Sequence, residues 1–197
     1  MINYGLKINS PYEISNSIRI DIEKDSIHNL SNDAGNYSFY INNGAKLIIN
    51  EELNNFKNEI NVYLVSENSS VKINSKIKAD IDKIIDVTHF VYHKANNTNS
   101  EINSNGQVDK NARVILRENI FVEKEIKNIN GKQKAKFILF DNTAQVDAIP
   151  SMSIYSEDVC CEHSLIIENP SDNLIWYAGL RGIKKDDIKN LFLNLLE

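Results

Sequence analysis

The densest group of chemically capable side chains in this 197-residue chain is the run Cys160-Cys161-Glu162-His163. Thiolate and imidazole are common ligands for zinc, and imidazole can replace a thiolate on an iron–sulfur cluster. Side chains alternate faces along a strand. A strand over residues 159–165 would put Cys161 and His163 on one face, and Cys160, Glu162 and Ser164 on the other. Cys161 and His163 could then touch one metal ion. The plainer readings are also open. A free Cys is most often a small buried hydrophobe, which would suit Cys161, and His163 could make an interface hydrogen bond. Cys160 reads as a surface or interface thiol. These are the only two cysteines, and they are adjacent. A disulfide between neighbours needs a strained ring, so two free thiols and a reducing compartment, the cytoplasm, are expected.

His89 and His93 are four residues apart. On a helix that is metal-ligand spacing. Their stretch reads as strand, where both would face one side about 13 Å apart. One reading is therefore a metal-dependent enzyme using His89, His93, Glu162 and His163. Against any enzyme stand the missing motifs: no Gly-x4-Gly-Lys-Ser/Thr phosphate loop, no Gly-x-Ser-x-Gly and no Cys-x-x-Cys.

The elements around these residues are mostly strands. Residues 17–22, 37–41, 46–50 and 60–65 alternate apolar and polar side chains or form short apolar runs, as strands do. Turn clusters such as Ser31-Asn32-Asp33, Asn42-Asn43-Gly44 and Asn68-Ser69-Ser70 separate them. No crossover helix fits in such short gaps. A faint echo recurs at residues 44–47, 70–73, 112–115 and 144–147: a small residue, one residue, then an aliphatic one. Short repeats of this kind suit a β-solenoid; a β-sandwich would give similar strands. At the C-terminus, Ile188, Leu191, Phe192, Leu195 and Leu196 fall on one face of a helix, with Asp186 and Asp187 in its first turn. Trp176 and Tyr177 read as core or interface anchors. Arg181-Gly182 reads as the turn into the last helix, with Arg181 alternatively gripping a carboxylate across a dimer.

Composition narrows the function classes. The net charge is −5, and the only arginines are Arg19, Arg113, Arg117 and Arg181. Phosphate contacts need clustered Lys and Arg, so no nucleic-acid partner is expected. No apolar run reaches the ~18 residues of a membrane helix, and Met1–Ser10 lacks the pattern of a secretory signal. The chain is long enough to bury a core without disulfides. Its richness in Asn fits many turns, since Asn tolerates left-handed backbone angles.

Two blocks in order carry a family resemblance. The first is Pro150-Ser-Met152-Ser-Ile154-Tyr-Ser-Glu157-Asp158-Val159-Cys160-Cys161-Glu162-His163. The second is Trp176-Tyr177-Ala178-Gly179-Leu180-Arg181-Gly182-Ile183 followed by a helix. Upstream, Thr88-His89, Thr98-Asn99-Ser100 and Gly106-Gln107-Val108 match more loosely. Together they resemble the later part of the SufB/SufD family of the SUF iron–sulfur assembly system. The resemblance implies a mainly β fold, a right-handed parallel β-helix (β-solenoid) over residues 1–183, with a short C-terminal amphipathic α-helix over 184–197. It implies a component of an iron–sulfur cluster assembly complex that is not itself an enzyme. Its partners would be a SufC-type ABC ATPase and, as homodimer or heterodimer, a SufB/SufD-like chain.

Carried over residue by residue, the resemblance points to Cys161 and His163 as metal or cluster contacts with Glu162 beside them; Cys160, a further candidate contact, has no counterpart in the family. Arg181, Ile188, Leu191 and Phe192 would face a partner. The position of the SufB-type cysteine is Ala144 here, so the chain looks more SufD-like than SufB-like. That departure also supports the alternative of a β-solenoid interaction module that binds no cluster.

Overall fold

The computed structural model describes residues 17–31, 35–54, 57–170, 172–184 and 187–189. Twelve strands run in chain order: β1 (Ser17–Ile22), β2 (Ser26–Ser31), β3 (Gly35–Ile41), β4 (Lys46–Leu53), β5 (Lys57–Leu64), β6 (Ser70–Ala79), β7 (Ile84–His93), β8 (Asn99–Val108), β9 (Arg113–Val122), β10 (Ile129–Leu139), β11 (Gln145–Ile154) and β12 (Val159–Glu168). One helix follows, α1 (Asp172–Leu180), and residues 187–189 are helical. The fold is mainly β, as expected. Strands β2, β8 and β10 and helix α1 are additions to the segments expected from the sequence.

The odd strands form one six-stranded sheet and the even strands another, each in chain order. Every pairing is parallel. The chain thus crosses from one sheet to the other after each strand. It does so through tight turns, whose left-handed positions are mostly asparagine: Asn43, Asn68, Asn97, Asn111 and Asn128 all have positive φ. Asn and Asp tolerate this region better than other side chains. The turns also bind each other. Asn111 Nδ2 donates to Asp82 Oδ1 at 3.0 Å, and Asn128 Nδ2 donates to Asn97 Oδ1 at 2.8 Å. The abundance of Asn therefore has a structural use.

Alternation sets the faces. Strand β6 buries every second residue along its whole length. Inward side chains form two apolar clusters, one around Phe39, Ile49, Ile73 and Ile102, the other around Ile77, Val87, Leu116 and Phe137. A polar layer of Glu51, Ser75, Ser104, His89 and Glu118 lies between them along the strands. The outer faces carry ladders at the strand spacing. On the even sheet Asn50 donates to Asn29, and Asn74 donates to Asn50, each at 3.0 Å. On the odd sheet Tyr40, Tyr63 and Tyr92 stack at 4.5 and 4.7 Å, with Phe121 and Tyr155 continuing the row.

Candidate functional site

The two sheets end on β11 and β12. Each pairs with a single neighbour, β9 and β10 respectively, and presents its other edge unpaired among the described residues. An unpaired strand edge is a row of N–H and C=O groups ready to take another chain. The side chains at this end are also uncovered. Inward positions on β10 are buried, namely Gly131, Gln133, Ala135 and Phe137. Their register partners on β12 are Cys161, His163, Leu165 and Ile167, and Leu165 and Ile167 are 37% and 43% exposed. On β11 the inward Ile154 is exposed as well, while Ile149 is exposed on the outer face.

Cys161 and His163 do share the inward face of β12, as alternation requires. Cys161 is half-buried because Gly131 leaves room for it: a Cβ on Gly131 would stand 3.1 Å from Cys161 Sγ and 3.1 Å from Ile120 Cδ1. Burial pushes the Cys161 thiol up, with the nearby Cys160 adding to the rise and the Gly131 backbone hydrogen bond opposing it. Cys161 is therefore held as a thiol rather than a thiolate. His163 is exposed. Cys160 and Glu162 point to the outer face, where Glu162 meets Lys132 at 3.3 Å. Among the described residues no three His, Cys, Asp or Glu side chains come together as a metal site. Among the described residues Cys161 and His163 are the two such donors on this face of β12.

The structure does not bring together the residues of the metal-enzyme reading. His89 and His93 are both fully buried in the core, and Glu162 and His163 lie on opposite faces of β12. His93 Nδ1 and Nε2 lie 2.8 Å from Thr98 Oγ1 and Ser100 Oγ. The Thr98 hydroxyl donates to Ala95 O, so His93 Nδ1–H donates to Thr98 and Nε2 accepts from Ser100. Burial holds His93 neutral, its pKa lowered to about 4. His89 is the opposite case. Its Nε2 lies 2.9 Å from Glu51 Oε2 and its Nδ1 3.4 Å from Glu118 Oε1. Burial pushes its pKa down, but the charge of Glu51 and hydrogen bonds to both carboxylates outweigh that and raise it to about 9. Glu51 also accepts from Ser75 at 2.6 Å and from Asn58, and Glu118 accepts from Ser104 at 2.6 Å. This buried Glu–His–Glu group was not foreseen; its members are 38 and 29 residues apart, and nothing local marks them.

The helix α1 ends as its glycine predicts. Gly182 has φ +76, Ile183 N–H donates to Ala178 O at 3.1 Å and Gly182 N–H to Gly179 O at 3.0 Å, the two bonds of a Schellman cap. Trp176 and Tyr177, expected as core or interface anchors, are 66% and 50% exposed, so they are not core. Leu180 is exposed with them. Arg181 lies over the Tyr177 ring at 4.7 Å and donates to its hydroxyl. Ile188 is buried, and Lys189 beside it pairs with Asp109 and lies over Phe140. Ile188 is thus occupied by its own chain. Leu191, Phe192 and most of the expected helix over 184–197 lie outside the described residues.

Two all-parallel sheets with strands alternating between them, and a Cys-x-His pair on an edge strand, define the class: a parallel β protein. The particular family follows from sequence comparison. This chain belongs to the SUF system FeS cluster assembly family, SufBD core domain, whose model matches residues 23–194. It is 26% identical over 130 residues to the iron–sulfur cluster assembly protein SufD of Escherichia coli K12, covering 66% of this chain and 31% of SufD. It is 23% identical over 133 residues to an iron–sulfur cluster assembly SufBD family protein of Staphylococcus epidermidis, covering 68% and 29% of the two chains. Each alignment spans less than a third of the relative. No helix among the described residues is long and apolar enough to cross a membrane.

Proposed function

We propose that this chain is a SufD-like structural partner in an iron–sulfur assembly complex, and that it works without catalysing a reaction itself. The observation that carries this reading is the uncovered end: two unpaired strand edges, exposed Leu165 and Ile167, and the Cys161–His163 pair on one face. A second SufB/SufD-like chain docking there would extend both sheets and cover the apolar side chains. It would also supply further donors, so that a cluster, the cargo of the system, sits between chains. In this reading the alternating sheets are successive coils of a parallel β-helix. Helix α1 presents Trp176, Tyr177 and Leu180 to a SufC-type ATPase, with Arg181 at its end. The free thiols fit a reducing compartment such as the cytoplasm.

The test has two arms. Sedimentation of the chain with its SufB-like partner, wild type against Leu165→Lys, should give a complex for the former and separate chains for the latter. Anaerobic reconstitution with iron and sulfide should give a visible cluster band only in the complex. A band on the isolated chain that Cys161→Ala abolishes would make it a scaffold in its own right. A complex unaffected by Leu165→Lys would remove the proposed interface.

A further inference from the structure

Gln133 is the side chain at the uncovered end whose chemistry is left open. It is fully buried on the inward face of β10, with Ile102 beside it on β8 and His163 beside it on β12. Its Nε2 donates to the carbonyl of Ser151 on β11 at 3.1 Å. A carbonyl can only accept, so the orientation of the amide is fixed: the N–H side faces Ser151 and the oxygen faces away from it. Ser151 is itself anchored, since its hydroxyl donates to the backbone oxygen of Glu118 at 2.9 Å. The amide oxygen, Gln133 Oε1, is buried and has no hydrogen-bond partner. A buried acceptor left unmade is costly, so such a group calls for a donor.

The register narrows the donor. Ile102 has none. Gly131 and Ala135, the inward neighbours on the same strand, have none on their side chains. On β12 the diagonal position Leu165 has none, and the other diagonal, Cys161, has its sulfur seated against Gly131. The directly paired residue, His163, shares the inward face, carries a ring N–H and is exposed. A histidine that binds a metal usually donates its other ring N–H to a carbonyl or carboxylate, which fixes the tautomer.

We propose that Gln133 is a positioning residue for His163: its buried amide oxygen accepts the ring N–H of His163, so the other ring nitrogen is left unprotonated and turned to the uncovered end. That nitrogen is then a donor for a borderline metal ion, the class that imidazole shares with the sulfur of the neighbouring Cys161 once metal binding takes its proton. The inference rests on the reading of this end as a shared site, yet its test does not need the partner or the cluster.

The experiment is nitrogen-15 NMR of the histidine rings in the full chain, at a pH where exposed imidazole is neutral. His163 is assigned by its loss in His163→Asn. Wild type should show His163 as one tautomer, Gln133→Leu should show a mixture of the two, and Gln133→Glu, which keeps an acceptor, should restore one. A merely structural role for Gln133 would shift the backbone amides of β8 to β12 without moving the tautomer ratio, and that result overturns the proposal. If Gln133→Leu does not fold, the wild-type spectrum still decides: mixed tautomers in wild type overturn it. A single tautomer in wild type together with failure of the chain to bind a SufB-like partner would leave the Gln133 pairing standing and remove the shared-site reading instead.

Discussion

The two cysteines are adjacent in sequence and differ in almost everything else. Cys160 lies exposed on the outer face, while Cys161 is half-buried with its thiol pushed up by desolvation. Alkylation follows the thiolate and its exposure. Iodoacetamide should therefore label Cys160 well before Cys161, as read by mass spectrometry of the intact chain and its peptides. Equal rates would mean that the seat against Gly131 is not maintained in solution. That seat makes a second prediction. Gly131→Ala would drive a methyl group into Cys161 Sγ and Ile120, and overpacking of this kind costs about 1–3 kcal/mol. The urea midpoint should fall accordingly, and Gly131→Ala combined with Cys161→Ala should recover part of the loss. The alternation that puts Cys161 and His163 on one face was legible from the sequence. The seat was not, because Gly131 and Cys161 are paired by register across two strands rather than by proximity in the chain.

At the scale of elements, hydrophobic alternation located β1, β3, β4 and β5, and the short repeat touched β6, β9 and β11, but β2, β8, β10 and α1 were missed. In β2 the most exposed apolar residue, Ile27, points outward, while His28 and Leu30 face the core side, so apolar and inward positions fall out of phase. In α1 the large side chains Trp176, Tyr177 and Leu180 stay exposed, so no helical stripe is visible against the apolar run. The polar layer was equally illegible. Glu51, His89 and Glu118 each occupy an inward position that reads as a lapse in an apolar pattern, and only the stacking of strands makes the three one group. That layer sets the pH dependence of stability. His89, raised from 6.5 to about 9, stabilises the fold fully below about pH 6.5, and this contribution is lost as pH rises through 9. His93, lowered from 6.5 to about 4, acts in the other direction: the unfolded chain takes the proton first, so stability falls as pH drops from 6.5 towards 4. Glu51, held below its usual range despite burial, adds to the acid loss. Denaturation midpoints against pH should peak near 6.5. His89→Gln should lower the peak and flatten the alkaline limb, and His93→Gln should flatten the acid limb; an unchanged alkaline limb in His89→Gln would show that the buried imidazolium is not the group responsible.

At the scale of the whole molecule, the exposed surfaces at the end of the body and on α1 can be read separately. Trp176 is the sole tryptophan, and it stands out from α1 with 66% of its surface exposed. Its fluorescence should be that of an indole in water for the isolated chain. It should shift to the blue on adding a SufC-type ATPase if α1 is the docking helix, and stay unchanged if the ATPase binds elsewhere. The β11–β12 end is read apart from it by Leu165→Lys, a change on β12 itself. The pairing scheme also has a mechanical consequence. Each strand between the ends is held by the strands two before and two after it, and among the described residues no strand ties one end of the body to the other. Tension applied between the two termini would therefore peel the chain from its ends inward. In a single-molecule pulling trace this is a staircase of small ruptures, each releasing roughly twenty to thirty residues, rather than the one large break of a fold whose first and last strands are bonded together.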